Sequence, residues 1–325
     1  MNILLVDVDS KIPNIALMKL ATFHKRDTIK LLRCNYSGYP HKYISSNIDG
    51  TAYDVIYVSL IFDVNKDINI IGGKNIDFGG TGISLTKCLP EEIDDLPEDY
   101  SIYPENTSSY GFITRGCIRN CPFCVVPKKE GNIRLYRQWR DIVKHKTTYF
   151  LDNNFLAYNK CEDILQELVK YNIKCQFNQG LDIRLITNDR AKFLSDMNYI
   201  GEYIFAFDDC HQEQVVNMGL NIFRKYEKRD WKEKFFVYCD AETQSIQDVV
   251  YRVNWCISNK VLPYLMRNKN CWESINKDFY TDLAAYCNQP NLVKKITFEQ
   301  FIKKRHPYNI ERQHNSLELY LGRGI

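Results

Sequence analysis

The sequence lacks the features that mark several large classes of protein. None of its apolar runs approaches about 18 residues, the length that a membrane-spanning helix needs, so no span is expected. It opens MNILLVDVDSK, without the basic stretch and apolar run of a secretion signal, which predicts a reducing, cytoplasmic location. The formal net charge of only +3 gives no sign of a strongly electrostatic nucleic-acid binder.

What the chain does contain is the composition of a globular protein with a sizeable core. Hydrophobic residues make up 45% of its 325 positions, aromatic residues 13% and charged residues 26%. This length suits one large domain and one small domain. Apolar runs of strand length alternate with segments of helical spacing over most of the chain, which predicts an α/β fold.

Three of the twelve cysteines lie close together. Cys117, Cys121 and Cys124 are spaced C-x3-C-x2-C within residues 111–127, GFITRGCIRNCPFCVVP, directly after an apolar run. Three thiolates this close on one loop predict a [4Fe–4S] cluster. Because such clusters are usually held by four thiolates, one iron would keep a position open for a substrate or cofactor.

A structural zinc site and buried thiols are the alternatives for these three cysteines. Zinc normally takes four ligands as two separated pairs, and the sequence has no second C-x-x-C and no H-x3-H. The remaining cysteines stand 14 or more residues apart, which favours isolated thiols over a second cluster. They are Cys34, Cys88, Cys161, Cys175, Cys210, Cys239, Cys256, Cys271 and Cys287.

Residues 1–95 are predicted to form a small α/β domain. The predicted strands are 2–8, 28–32, 54–62 and 68–73, and the predicted helix is 15–24. The glycine-rich GGTG of residues 79–82 follows them. Strands that alternate with helices predict a doubly wound, Rossmann-like sheet, whose ligands would bind at the carboxyl ends of its strands.

Residues 96–107 are acidic and contain proline, and we expect them to link this domain to a second one. Over residues 108–269 a strand-then-helix pattern recurs six times, at the length of repeated βα units. Residues 270–325 are expected to form a helical tail that closes the second domain or contacts substrate. Strands are predicted at 110–114, 147–151, 174–178, 203–207, 235–239 and 261–266, and a tail helix at 298–304.

The cysteine spacing, with Phe123 just before the third cysteine, resembles the CxxxCxxC motif of the radical S-adenosylmethionine (SAM) superfamily. That resemblance implies a partial (β/α)6 barrel over residues 108–269 and a [4Fe–4S] cluster whose open iron binds SAM. It also implies reductive cleavage of SAM to a 5′-deoxyadenosyl radical that abstracts hydrogen from a substrate. A one-electron reductant such as flavodoxin or ferredoxin would be a partner, and the substrate is left open as a small molecule, a peptide or a nucleic acid.

In parallel barrels the chemistry lies at the carboxyl ends of the strands, where this sequence has polar residues. Asp152, Asn153 and Asn154 follow the second strand. They match in position the turn that binds the SAM amino group in the family, and a helix-initiating turn is the alternative. Arg184 suits the carboxylate of SAM and Asp208 suits its ribose hydroxyls. The predicted cofactor contacts are Phe123, Asp152, Asn153, Asn154, Gln179, Asp182, Arg184, Asp208 and Asp240.

The amino-terminal domain resembles the cobalamin-binding domain that precedes the barrel in one branch of that superfamily. The cobalamin-ligating pattern D-x-H-x-x-G would begin at Asp7, which places Asp9 where the histidine would stand, with no glycine at the right distance. A degenerate domain kept for packing or substrate binding is therefore favoured over one that binds cobalamin.

Three other functions remain open at this point. A cobalamin-dependent radical SAM methyltransferase would need a working corrin domain. A methylthiotransferase acting on nucleic acid or protein would need three further amino-terminal cysteines, where only Cys34 and Cys88 are available. A non-catalytic iron–sulfur redox sensor would have no use for the polar residues at the strand ends, so an enzyme is favoured.

Overall fold

A computed structural model describes residues 1–34, 36–37, 42–43 and 47–322, and it divides the chain into two compact units, residues 1–148 and 149–325. Both units are mixed α/β structures that contain parallel sheets, as the sequence predicted. Among the described residues, no helix is both long enough and apolar enough to cross a membrane.

The elements of the first unit are short. Its strands are β1 (Asn2–Asp7), β2 (Thr28–Arg33), β3 (Tyr36–Ser37), β4 (Lys42–Tyr43), β5 (Asn47–Asp49), β6 (Val55–Ser59), β7 (Asn69–Ile71), β8 (Ile76–Gly79), β9 (Ser108–Gly111), β10 (Thr114–Arg115) and β11 (Arg134–Leu135). Its helices are α1 (Ile15–Phe23), α2 (Glu91–Asp94), α3 (Val126–Glu130) and α4 (Trp139–Ile142).

The second unit carries longer helices. Its strands are β12 (Thr147–Phe150), which starts at the boundary, β13 (Cys175–Phe177), β14 (Tyr203–Ala206), β15 (Glu233–Cys239) and β16 (Leu262–Arg267). Its helices are α5 (Cys161–Lys170), α6 (Asn188–Asp196), α7 (Glu213–Phe223), α8 (Ile246–Ser258), α9 (Asn270–Glu273), α10 (Lys277–Cys287), α11 (Pro290–Val293), α12 (Phe298–Arg305) and α13 (Ile310–Leu321).

A parallel sheet in the order β2–β1–β6–β8 forms the centre of the first unit. In β1, Leu5 lies opposite Leu31 on one side and Tyr57 on the other. Five of the six residues of β1 are buried, which explains why its sequence is a continuous apolar run. The strands predicted at 2–8, 28–32 and 54–62 are confirmed, whereas the candidate at 68–73 is β7, which pairs with β5 outside this sheet.

The alternation of side chains along β1 builds a separate core on each face of the sheet. Leu4 and Val6 pack on one face with Ile56 and Val58 of β6. Ile3 and Leu5 pack on the other face, where α1 covers them. Helix α1 begins as predicted, because the side chain of Asn14 caps it by accepting a hydrogen bond from the N–H of Leu17 at 3.2 Å.

Residues 96–107, which the sequence predicted to be a linker, lie within the first unit. The ring of Tyr103 is only 1% exposed, and its hydroxyl donates to Asp7 Oδ2 at 2.8 Å. The Tyr100 hydroxyl accepts from the N–H of Tyr110 at 2.7 Å. This stretch therefore helps to hold the end of β1 and the start of the segment that leads to the cysteines.

In the second unit, β14, β15 and β16 form a parallel sheet in that order, and β12 and β13 are neighbours in another. The side chains of β15 alternate strictly between buried and half-buried. Helix α8 covers one face, where Trp255 meets the rings of Phe207 and Phe235. The strands predicted at 147–151, 174–178, 203–207, 235–239 and 261–266 are all confirmed, with ends shifted by one or two residues.

The tail of the second unit is helical, as predicted. Helix α10 packs against β16. The side chain of Asn288, just after α10, donates a hydrogen bond to the backbone carbonyl of Leu265 at 3.2 Å and accepts one from its N–H at 2.7 Å. Thr297 and Gln300 form a capping box at the start of α12, the helix predicted at 298–304. Residues 323–325, the end of the predicted tail, lie outside the described residues.

Candidate functional site

The loop that carries the three clustered cysteines is closed at its base by a short antiparallel ladder. Thr114 lies opposite Leu135, and Arg115 lies opposite Arg134. The single strand predicted at 110–114 is therefore wrong: β9 ends at Gly111 and the chain turns into β10 to pair with β11. The backbone carbonyl of Ile113 at this turn accepts hydrogen bonds from the next two N–H groups after β11, at 2.8 and 3.2 Å.

Gly116 allows the two sides of the loop to approach one another. Its φ of +86° lies in the left-handed region, and a Cβ at this position would lie 2.2 Å from the carbonyl oxygen of Asn132. Its N–H donates to Glu130 Oε2 at 3.0 Å, and Arg115 Nη2 lies 3.1 Å from Glu130 Oε1. The N–H of Cys117 then donates to the carbonyl of Gly131 at 3.1 Å. These contacts fix the base of the loop without using a thiol.

The three clustered cysteines, hereafter the loop cysteines, are half-buried. The N–H of Cys124 donates to the carbonyl of Cys121 at 3.0 Å, and the N–H of Arg119 donates to Cys117 Sγ at 3.3 Å. Phe123 is 41% exposed beside them. Within residues 1–34 and 47–322, no three His, Cys, Asp or Glu side chains are arranged as ligands of one metal ion.

The donors on this loop nevertheless suit an iron–sulfur cluster. Three sulfurs on one short, accessible loop match the ligand type that iron–sulfur clusters take, and zinc would need a fourth ligand. A backbone N–H that donates to a sulfur is also a known way for a protein to adjust a cluster. That the loop cysteines hold a [4Fe–4S] cluster stays a prediction from the sequence.

Six other cysteines lie in the core of the second unit, and we call them the core cysteines. Each is at most 1% exposed: Cys161, Cys175, Cys239, Cys256, Cys271 and Cys287. Burial raises the pKa of Cys161 to about 11 and that of Cys175 to about 12. Thiols that are buried and protonated in this way are poor metal ligands. Cys239 and Cys271 differ from the predicted isolated thiols, because their sulfurs lie 3.9 Å apart.

Polar residues do gather at the carboxyl ends of the strands of the second unit. After β13, Arg184 forms a bidentate ion pair with Asp182, with Nε 2.6 Å from Oδ1 and Nη2 2.9 Å from Oδ2. Arg184 Nη1 also donates to Gln212 Oε1 at 2.5 Å. The side-chain amide of Asn154, from the loop after β12, lies 3.5 Å from Asp182 Oδ2. The structure thus brings together three of the predicted SAM contacts.

Asp208, at the end of β14, belongs to the same edge of the second unit. Its Oδ1 accepts from the N–H of Tyr238 at 2.9 Å, and its backbone carbonyl accepts from Gln244 Nε2 at 3.0 Å. Burial raises the pKa of this carboxyl, against the hydrogen bond from Tyr238 and the charge of Arg252, which lower it. A carboxyl whose pKa is raised in this way is a frequent feature of binding sites.

Asp240, after β15, accepts hydrogen bonds from several side-chain and backbone groups of its own unit. Its two oxygens accept hydrogen bonds from the side chains of Tyr238, Asn268 and Asn270 at 2.9, 2.6 and 2.6 Å. They also accept from the N–H groups of residues 242 and 243, at 2.9 and 3.2 Å. Burial alone would raise the pKa of Asp240, but these donors hold it well below the usual range. Asp240 therefore joins the loops after β15 and β16.

The other predicted contacts differ in exposure. Asp152 is fully buried, Asn153 is half-buried and Gln179 is exposed. Sequence reasoning missed Arg252, which is 1% exposed on α8 and donates to the backbone carbonyls of Phe207 and Tyr238 at 3.2 and 2.8 Å. The signal was available, because an arginine stands there on the apolar face of a helix, where a buried charge needs partners.

Asp9, at the position where a corrin-ligating histidine would stand, is 1% exposed. Its oxygens accept hydrogen bonds from the N–H groups of Ile61 and Phe62 at 2.8 and 3.0 Å and from Asn65 Nδ2 at 2.9 Å. This carboxylate ties together the loop after β6. It is thus engaged within the fold of the first unit.

No family model matches the chain, and no curated protein matches its sequence. Among solved structures, it is similar to Streptococcus suis SuiB bound to the precursor peptide SuiA, with 14% sequence identity and a TM-score of 0.37. The match covers 64% of this chain and 47% of SuiB, so the chain spans about half the length of that protein. At this identity and TM-score, function is assigned from this chain's own residues.

Proposed function

We propose that this chain is a radical SAM enzyme, and that Cys117, Cys121 and Cys124 hold its [4Fe–4S] cluster. The observation that carries the proposal is the set of three sulfurs on one accessible loop, closed at its base by contacts that use no thiol. When bound, the cluster would supply the electron that cleaves SAM to methionine and a 5′-deoxyadenosyl radical.

We further propose that the strand-end residues of the second unit contact SAM. The amino-acid part of SAM is a zwitterion, and Asp182 beside Arg184 offers one group of each charge. Asp182 and Gln212 fix the plane of the guanidinium, which suits a bidentate contact to a carboxylate. Asp152, Asn153, Asn154, Gln179, Asp208 and Asp240 complete the proposed set, in which Asp240 acts by fixing the loops after β15 and β16.

In this proposal residues 1–95 form a Rossmann-like domain that does not carry cobalamin. The parallel order β2–β1–β6–β8 supports the Rossmann-like assignment, and residues 108–269 are assigned to a partial (β/α)6 barrel by resemblance. The hydrogen bonds that Asp9 accepts from the loop after β6 oppose a role as a cobalt ligand. We therefore favour hydrogen abstraction over a cobalamin-dependent methyl transfer.

The test is the cleavage of SAM by the reduced, cluster-loaded protein. Full-length chain is reconstituted anaerobically with iron and sulfide and reduced with dithionite, and 5′-deoxyadenosine is then measured by chromatography. We expect slow formation of this product without added substrate, loss of it in Cys124→Ala, and no loss in Cys256→Ala, which removes a core cysteine. A cluster that forms without any SAM cleavage would favour the redox sensor, and failure to bind iron would reject both functions.

A further inference from the structure

The first unit contains a cavity of about 480 Å³ that has no part in the proposed binding of the cluster or of SAM. It lies at the carboxyl ends of β6 and β8, where Ser59 and Gly79 line it, and α1 forms another wall. Ligands of parallel α/β sheets bind at this end of the strands. The volume is that of a pocket for a drug-sized molecule, which is small for a corrin.

The elements that flank the loop cysteines provide part of the remaining wall. Arg115, on β10, stands two residues before the first loop cysteine, and Lys129, on α3, stands five residues after the last. Phe112 lines the cavity as well, and the guanidinium of Arg115 lies 4.1 Å from the centre of its ring. An occupant of this cavity would thus contact the two elements between which the loop of the proposed cluster is held.

Most of the cationic side chains in the wall have carboxylate partners. Lys19 Nζ lies 2.7 Å from Asp94 Oδ1 and also donates to the Tyr136 hydroxyl at 2.5 Å. Lys87 forms an ion pair with Asp77. Arg115 is paired with Glu130, as described above. These three charges are balanced within the first unit.

Lys129 is different. Its Nζ donates to a neutral partner, the Thr81 hydroxyl, at 2.5 Å, and within the described residues it makes no ion pair. Burial and the charge of Arg115 lower the pKa of Lys129, against the charge of Glu130, which raises it. A lysine that is partly buried without a counter-ion gains most from an anion that binds beside it.

Thr81 holds this lysine at the end of the sheet because the backbone around it is tightly constrained. The preceding residue, Gly80, has a φ of +97°, and a Cβ there would lie 2.2 Å from the carbonyl oxygen of Leu60. Only glycine fits that approach. The GGTG sequence thus has a structural reason in this unit: it brings the Thr81 hydroxyl to the cation.

We propose that this cavity binds an organic anion, a molecule with a carboxylate or phosphate held by Lys129 and an apolar body packed against Ile15, Leu20 and Tyr57, and that this anion is the substrate. The assignment as substrate rests on the proposed radical SAM function. The binding itself does not, because every residue that it uses belongs to the first unit and none is a cluster ligand.

The experiment measures binding by calorimetry on the full chain without a cluster. The probes are 1-naphthyl phosphate and 1-naphthylacetate, with 1-naphthol as the neutral reference. Lys129→Met should weaken both anions roughly ten- to a hundredfold, the effect of losing one hydrogen bond to a charged group, and should leave 1-naphthol unchanged. The ratio of the two anion affinities tells whether a phosphate or a carboxylate is preferred.

Two variants control for folding and for general charge effects. Lys128→Met removes an exposed lysine from the same helix and should leave all three affinities unchanged. Lys129→Arg keeps the charge and should retain most of the anion affinity. The proposal is overturned if neither anion binds more tightly than 1-naphthol, or if Lys128→Met weakens the anions as much as Lys129→Met. Anion binding by a protein that fails to cleave SAM would reject the function and keep the site.

Discussion

The loop cysteines and the core cysteines are the same residue type in opposite surroundings. The loop cysteines are half-buried and lie after β10, on the loop that the pairing of β10 with β11 closes at its base. A backbone N–H donates a hydrogen bond to one of their sulfurs. The core cysteines are buried among apolar side chains, and burial raises the pKa of most of them. Since only a thiolate binds metal well, burial makes the core cysteines the poorer candidates for holding the proposed cluster.

The core cysteines can be explained by packing alone, without a shared metal site or cluster. In the core, a thiol acts as a small apolar group that fills space between strands and helices. Cys175 on β13 is an example: its sulfur lies 3.3 Å from the sulfur of Met197, and burial raises its pKa. The spacing of 14 or more residues reflects their distribution over separate strands and helices of one core, in which Cys239 and Cys271, 32 residues apart, nevertheless meet.

The largest expected effect separates the two groups by iron content. Replacing all three loop cysteines by Ala should abolish the roughly four irons per chain that reconstitution adds, because no other described cysteine is arranged to replace them. The matched variant replaces Cys161, Cys175 and Cys256 by Ala and should keep its iron. Iron is measured by a colorimetric assay together with the absorbance of the cluster.

A melting curve of each variant shows whether it folds before its iron is interpreted. The core variant is expected to melt at a lower temperature, because each substitution leaves a small cavity. If the loop variant folds and still binds four irons, the cluster assignment is wrong. If only the core variant loses iron, the core cysteines and not the loop cysteines would hold the cluster.

Much of this could be predicted from the sequence because it depends on local patterns. The continuous apolar run of β1 and the helical spacing in α1 each occur within one element, and both elements are confirmed. The motif of the loop cysteines is equally local, since Cys117 and Cys124 lie within eight residues. Periodicity and spacing therefore predicted the main strands and the donors of the proposed cluster.

The remaining features depend on contacts between residues far apart in the chain. The ladder of β10 and β11 has two residues on each side, too few to leave a periodic signal. The hydrogen bonds that hold Asp240 come from residues up to 30 positions later. Lys129 and Thr81, which meet at 2.5 Å, are separated by 48 residues. No property of either residue alone predicts such a meeting.

A second, smaller effect should appear in the rates of alkylation. At pH 8, a thiol with a pKa of about 12, such as Cys175, has roughly a thousandfold less thiolate than an ordinary thiol with a pKa of about 8.5. We expect iodoacetamide to label the loop cysteines of the cluster-free protein within minutes and to label the core cysteines far more slowly. Peptide mass spectrometry gives the rate at each site.

The pH dependence tests the cause of this difference. Because the pKa of Cys161 is about 11, its labelling rate should rise about tenfold for each pH unit between 8 and 10, as long as the second unit stays folded. In denaturant, all twelve cysteines should react alike. Equal rates at loop and core sites in the folded protein would show that the second unit opens readily, and would remove the distinction.

The smallest effect concerns Cys239 and Cys271, the exception among the core cysteines. Their sulfurs lie 3.9 Å apart, and the Cys239 thiol shares a hydrogen bond with Cys271. That bond raises the pKa of Cys239 and lowers the pKa of Cys271, because the proton stays on one sulfur and stabilises a thiolate on the other. Replacing Cys239 by Ala should therefore raise the pKa of Cys271 and slow its alkylation several-fold.

Cys287, on the neighbouring helix α10, reports opening of the same core, so the rate at Cys271 is divided by the rate at Cys287. A ratio that stays constant would mean that Cys271 reacts only through opening, and that it differs in no way from the other core cysteines.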